Sequence, residues 1–383
     1  APESRILVVV GTTTDYIDWI RHNYEAPVLF LTDPMERRAA KESPPLPGQE
    51  ILCDLSDTKK VMEALQQHLA QEALRLDGIA CYDCESMELA AHIAARFDLP
   101  YPSIQAVRNC RDKLITSRRW LDNGLLCPRT QKVRSAAEAR QFFRKLDGPC
   151  VLKPVCGSGS ELVFYCETED SCKAGFNKIQ TGLKQRLANR LYLSEAADEP
   201  LIIIQEFIHG QEFSCDFVVE DGRAEIIRFT RKILSSSGPF GTAKGYLLSN
   251  ALPEEIDQNV LCQTLYQSAA ALDISRAICM VDFKIHRGRI ILLELAPRPG
   301  GDCLPSLLRR CRGMDILSLY LDFCRRKPIQ VETATAFPTC LGLRLHAQSS
   351  GVLKHTDTIR LEQDPRVQEI HLTRKAGHVI RMP

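Results

Sequence analysis

The chain has 383 residues, 44% hydrophobic and 25% charged, with a formal net charge of +1. That length holds two or three domains at ~150 residues each, and near-neutrality gives no electrostatic reason to expect nucleic acid or a membrane surface as partner. No apolar run approaches the ~20 residues needed to cross a bilayer, and the start "APESRILVVVG" lacks the basic-then-apolar layout of a secretory leader.

In chain order, "RILVVVG" reads as a buried parallel strand, "TTTDYIDWIRHNY" as a helix and "APVLFLTD" as a second strand. "PMERRAAKESPPLPGQE" reads as loop, rich in proline and charge. "TKKVMEALQQHLAQEAL" is an amphipathic helix with Val61, Leu65, Leu69 and Leu74 along one face. "LDGIACYD" then gives a strand and "SMELAAHIAARFDL" a helix. Such alternation implies a parallel sheet with helices on both faces, a small doubly wound domain over residues 1–108. Only "GTTTDY" follows the first strand, where a nicotinamide cofactor needs G-x-G-x-x-G.

From Asn109 the character changes. "NCRDKLITSRRWLDNG" reads as one basic helix stopped at Gly124, and "SAAEARQFFRKLDG" as another. "PCVLKPV" and "ELVFYCE" form a hairpin, completing a unit over 109–203. "LIIIQEFI", "EFSCDFVVEDG" and "RAEIIRFTRKIL" read as antiparallel strands of a larger unit, 204–334, interrupted by the loop "SSSGPFGTAKGY". That unit also holds a helix at "EEIDQNVLCQTLYQSAAALDI", a hairpin at "AICMVDFKIHRGRIILLELAPRPGGD" and a helix at "DILSLYLDFCRR". Residues 335–383 read as a β-rich tail. The sixteen cysteines lie in apolar runs, as buried free thiols do, which points to a reducing, cytoplasmic setting. Cys81 and Cys84 make a CxxC without a second pair or nearby histidines, and read as two ordinary thiols.

In "GPCVLKPVCGSGSELVF" the lysine, Lys153, precedes the small residues Gly157 to Ser160. A P-loop has the reverse order, G-x-x-x-x-G-K-[ST]. A strand-borne lysine below a glycine-serine loop still suits a polyphosphate, because backbone N–H groups can approach it closely there. Asp282 and Glu294 lie on the two strands of one hairpin around "HRGR", so both can face one cleft. Hard Mg²⁺ takes such oxygen ligands.

Together "RDKLITSRRWLDNGLLCPR", "VLKPVCGSGS", "IIIQEFIHGQEFSCDFVVEDG" and "VDFKIHRGRIILLELAPRPGGD" resemble the ATP-grasp superfamily of ligases, in its order and at its spacing. The resemblance implies an ATP-grasp fold, α/β and α+β: a Rossmann-like N-terminal domain, a small central lobe, and a large C-terminal lobe with the β-rich tail. It implies that Lys113 and Lys153 touch phosphate, with Ser158, Gly159 and Ser160 in the covering loop. It implies that Gln205, Glu206, Phe207 and Ile208 hold adenine, with backbone groups of Glu206 and Ile208 on the base edge, and that Glu212 takes the ribose hydroxyls. Lys232 matches a lysine on the terminal phosphate, while strand alternation alone leaves open whether it or Arg231 points inward. The loop "SSSGPFGTAKGY" resembles the one that excludes water from an acyl phosphate.

Asp282 and Glu294 are the implied ligands of Mg²⁺ or Mn²⁺, and Arg298, Gly300, Gly301 and Asp302 the implied substrate contacts. Lys153, Lys232 and Arg298 are the implied catalytic groups. Ala296 departs from the pattern, because most relatives have asparagine there. The implied reaction joins a carboxylate to an amine, both small molecules and expected to be amino acids, through an acyl phosphate. The L-amino-acid ligases that make dipeptides are the nearest group in pattern. A biotin-carboxylase-like activity and a nucleotide-binding pseudo-ligase stay open as alternatives, and a homodimer is one open assembly state.

Overall fold

The computed structural model describes residues 4–146, 148–186, 189–192, 201–236, 239–249, 251–329, 331, 337–347, 349–372, 374 and 376–380. The N-terminal part runs β1 (Ser4–Val10), α1 (Thr14–Asn23), β2 (Val28–Thr32), α2 (Pro34–Ala39), β3 (Glu50–Leu52), α3 (Thr58–Gln71), β4 (Leu74–Ala80) and α4 (Met87–Phe97). Its strands form a parallel sheet in the order β3-β2-β1-β4. Alternation along β1 sends Ile6, Val8 and Val10 to the face covered by α3 and α4, and Leu7 and Val9 to the other.

Two expectations are corrected here. The stretch read as loop contains α2, capped by Asp33 with Pro34 in its first turn, and is followed by the short strand β3. Helix α3 ends at Gln71, so Leu74 is not on its buried face but starts β4. The helix carries Val61, Leu65 and Leu69 inward.

Next come α5 (Ile104–Arg111), α6 (Lys113–Asp122), β5 (Thr130–Val133), α7 (Ala136–Arg144), β6 (Cys150–Pro154), β7 (Phe164–Cys166), α8 (Glu169–Lys184) and β8 (Ile202–Glu206). The basic segment read as one helix is two. Asp112 leaves the helical region and its carboxylate accepts from Leu114 N and Ile115 N, capping α6. The cut at 108/109 therefore falls inside α5. Strands β5-β8-β6-β7 form the central sheet. So β8, read as part of the larger unit, pairs instead with β5 and β6, and the cut at 203/204 falls inside it. Of the polar segment before β8, residues 193–200 lie outside the described residues.

The rest comprises β9 (Gln211–Glu220), β10 (Arg223–Leu234), β11 (Ala243–Leu248), α9 (Gln258–Ala270), β12 (Ala277–His286), β13 (Arg289–Ala296), α10 (Leu304–Arg312), α11 (Ile316–Cys324), β14 (Cys340–Leu343), β15 (Gly351–Val352), α12 (Ile359–Glu362) and β16 (Val379–Ile380). One sheet runs β13-β12-β9-β10-β11-β14, so a strand of the tail closes its edge. Sequence reading did not find α10, and it gave Ala243–Tyr246 to a loop although they belong to β11.

One face of this sheet packs on α9 and on buried Trp120 of α6, whose indole donates to Ser268 O at 3.0 Å. The other face shares a core with α10, α11 and the second face of the N-terminal sheet. The three parts therefore interlock rather than hang from linkers. Among the described residues no helix is long and apolar enough to cross a membrane.

Candidate active site

A cleft opens between the central sheet and the large sheet. Strand β6 and the loop after it contribute Lys153, Ser158, Gly159 and Ser160 to its wall. The chain crossing from β8 to β9 contributes Gln205, Glu206, Phe207 and Ile208. Lys113 enters from the first turn of α6, and Glu212, Lys232, Asp282 and Glu294 from the large sheet. The fold thus collects from five separated segments all the residues expected to meet nucleotide or metal.

Their charges are cross-paired. Lys232 Nζ lies 2.8 Å from Asp282 Oδ2 and 2.7 Å from Glu212 Oε1. Burial opposes its charge, but these two carboxylates outweigh burial and hold its pKa well above the usual lysine value. Arg231 is exposed, which settles the open alternation in favour of Lys232. Lys113 Nζ donates to Gly157 O at 2.9 Å and lies 4.0 Å from Glu294 Oε2, tying helix, loop and hairpin together. Burial is also the main influence on Lys153, whose pKa it pushes down to about 8, helped by Lys113 and opposed by Glu294 and Glu212.

Asp282 and Glu294 are cross-strand partners in β12 and β13. Burial raises the Asp282 pKa, with Glu294 and Glu212 adding to the effect and Lys232 opposing it. Burial works against Glu294 as well, yet Lys113, Lys153, Lys232 and Arg298 together bring its pKa down. Asp282 Oδ1 is buried with no hydrogen-bond partner among the described residues. An orphaned carboxylate oxygen opposite a second carboxylate fits a hard divalent cation such as Mg²⁺ or Mn²⁺.

The adenine expectation needs a correction in detail. Glu206 N–H is committed to Arg129 O at 2.9 Å, and the Ile208 carbonyl accepts from Lys284 Nζ at 2.7 Å. The Gln205 side chain donates to Thr130 Oγ1 at 2.7 Å and is structural. Gly210 ends this crossing at φ +115°, where an added Cβ would sit 2.2 Å from Ile285 O, so only glycine fits. Glu212, expected at a ribose, pairs with Lys232, and its other oxygen lies 4.0 Å from Lys284 Nζ.

Lys284 was missed by sequence reading. It lies two residues beyond Asp282 on β12, hence on the same face, and that period was the available signal. Its ammonium sits 4.5 Å from the Phe207 ring centroid, and burial lowers its pKa. Replacing Lys284 with methionine should release the crossing. A nucleotide KM about tenfold higher, with turnover changed less, is the expected outcome of steady-state kinetics (roughly 1–1.5 kcal/mol for one such hydrogen bond).

Two loops roof the cleft. Ser160 Oγ donates to Gly241 O at 2.8 Å, joining the glycine-serine loop to the Ser/Gly-rich stretch. Phe240 of that stretch stacks on Tyr165 of β7, centroids 5.2 Å apart. Ser237 and Gly238 of the same stretch lie outside the described residues.

The group expected at the substrate follows directly on β13. Arg298, Gly300, Gly301 and Asp302 are not in the cleft wall. Arg298 is buried, with Nε and Nη2 at 3.3 and 3.0 Å from Cys84 Sγ and Nη1 donating to Pro299 O. Gly300 N donates to Asp216 Oδ1 at 2.9 Å, and a Cβ there would lie 2.9 Å from Arg228 Nη2. Gly301 faces Tyr16, and Asp302 pairs with Arg344 at 2.8 Å. Ala296 ends β13 opposite Met280.

Residues 146–306 match the family described as the ATP-grasp domain. A D-alanine–D-alanine ligase from Acidovorax ebreus (strain TPSY) is 23% identical over 239 residues, covering 60% of this chain and 66% of that protein. Carnosine synthase 1 from Homo sapiens is 23% identical over 274 residues, 66% of this chain but 31% of that protein. The chain thus spans less than two thirds of the length of these relatives. Among solved structures, an L-amino acid ligase from Bacillus licheniformis superposes with a TM-score of 0.80 at 19% identity, covering 100% of this chain and 90% of that one. A biotin carboxylase from Campylobacter jejuni superposes with a TM-score of 0.64 at 12% identity, covering 90% and 76%. The architecture and the matched segment agree: residues 146–306 match the ATP-grasp domain, and the chain has the ATP-grasp fold.

Proposed function

We propose that the protein is an ATP-dependent ligase that joins a carboxylate, that of an amino acid, to an amine through an acyl phosphate, giving an amide or dipeptide with ADP and phosphate. The supporting observation is the cleft itself, where four lysines meet Glu212, Asp282 and Glu294 beneath two touching loops. The D-alanine–D-alanine ligase and the L-amino acid ligase it resembles are ligases by name, and the carnosine synthase is a synthase by name.

In this reading Lys113 and Lys153 hold phosphate oxygens, and Lys232 meets the terminal phosphate after exchanging a carboxylate for it. A substrate carboxylate oxygen attacks the γ-phosphorus in line, ADP leaves, and the amine then attacks the acyl carbon and expels phosphate. Positioning and charge do nearly all the work in such a transfer. Asp282 and Glu294 would hold Mg²⁺ or Mn²⁺, which when bound neutralises charge on the phosphates. Ser160 and Phe240 keep water from the acyl phosphate by closing the roof. Arg298 takes the substrate carboxylate only after leaving Cys84.

The test is a phosphate-release screen of amino-acid pairs with ATP and Mg²⁺, with bicarbonate as a parallel acceptor. Release that requires both a carboxylate and an amine is expected. Release with bicarbonate alone would favour a carboxylase, and none with any pair would leave a nucleotide-binding pseudo-ligase.

A further inference from the structure

Beneath the roofing hairpin, away from the cleft, three thiols converge. Cys150 opens β6 and Cys166 closes β7 as its register partner, while Cys172 sits in the first turn of α8. All three are 0% exposed. Cys150 Sγ lies 3.6 Å from Cys172 Sγ, and the three sulfurs are all within 4.8 Å of one another. Among the described residues this is the one cluster of three metal-ligating side chains so close together. For metal–sulfur bonds of ~2.3 Å, the sulfurs of a three-coordinate centre lie roughly 3.5–4 Å apart. Small rotations about the Cα–Cβ bonds would close the set.

We propose that these thiols form a capture site for a trivalent thiophilic centre, with arsenous acid as the representative ligand. The choice rests on charge and coordination number. The surrounding core is apolar, including Leu152, Phe176 and Ile179, and the described cluster holds no fourth Cys, His, Asp or Glu. Zinc wants four ligands and would leave a net negative charge on three thiolates in that core, and copper(I) would leave more. Arsenous acid and three thiols are neutral, and so is the product. Each As–O bond is replaced by an As–S bond, and each thiol proton leaves with a hydroxyl as water. Three waters are released, and nothing is oxidised or reduced. The bound centre would staple both strands of the hairpin to α8, fixing the element that carries Lys153.

The test uses the reduced chain, residues 1–383, incubated with arsenite, then desalted. Intact mass should show one arsenic gained and three hydrogens lost per chain. Differential alkylation and peptide mapping should find Cys150, Cys166 and Cys172 protected as a set, and the loaded protein should melt at higher temperature. Cys172→Ala should abolish the three-thiol adduct, whereas Cys84→Ala should keep it. The proposal is overturned if no arsenic is retained, if protection falls on Cys81 and Cys84, or if zinc alone is held there. Should Cys172→Ala fail to fold, the mapping on the unaltered chain decides.

Discussion

Replacing Lys153 with methionine is expected to lower turnover about 10²–10³-fold and, at pH 7, to raise thermal stability. The second half of that result follows from the pKa. Burial brings Lys153 down to about 8 from 10.5, so at neutral pH the folded protein holds an ammonium that the fold itself disfavours. Between those two values the unfolded chain binds the proton and the folded chain does not, so native stability rises with pH there. Below pH 8 the penalty is fully present, and methionine removes it. Phosphate oxygens would compensate the charge, so nucleotide binding near and above pH 8 should take up a proton. Calorimetry in buffers of differing ionisation enthalpy measures this directly. Proton uptake that persists unchanged in Lys153→Met, or turnover within a few-fold of the parent, would remove Lys153 from the phosphate site.

Arg228→Ala should be the most destabilising single change outside the cleft, by about 3–5 kcal/mol. Arg228 and Asp216 are buried to 0% and 1% side-chain exposure, with Nε 2.7 Å from Oδ2. The guanidinium also donates to Ser214 O and Ser214 Oγ at 3.1 and 3.2 Å, and to Thr230 Oγ1. Removing it strands a carboxylate inside the sheet, and that carboxylate is also the acceptor for Gly300 N. Urea denaturation should show the loss as a shifted midpoint at constant slope. Arg228→Met combined with Asp216→Leu should recover most of it, because no charge is then left unpaired. A single variant costing under 1 kcal/mol would mean that water reaches Asp216.

What could be read without coordinates followed from short-range rules. The β12–β13 hairpin was legible because two apolar runs flank Arg287-Gly288, and its pairing puts Asp282 opposite Glu294. The first sheet was legible from strand–helix alternation alone. The break at Asp112 was not, since an acid inside a basic helical run differs little from its neighbours until its carboxylate is seen capping Leu114 and Ile115. The allegiance of β8 was hidden for another reason. Its partners β5 and β6 are far away in sequence, and nothing local tells an antiparallel strand which sheet it joins. Arg298 illustrates the same limit, because Cys84, 214 positions earlier, decides where its guanidinium points.

Lys232, held between Glu212 and Asp282, has one more implication. It acts as a stand-in counterion, so the acids keep their orientation before any guest arrives. Entry of a cation and a polyphosphate is then a swap of partners rather than a fresh burial of charge. Neutralising Asp282 would turn Lys232 wholly toward Glu212, and deleting Lys232 would set the two acids against each other. The losses from those two changes will therefore not add, since each already contains part of the other.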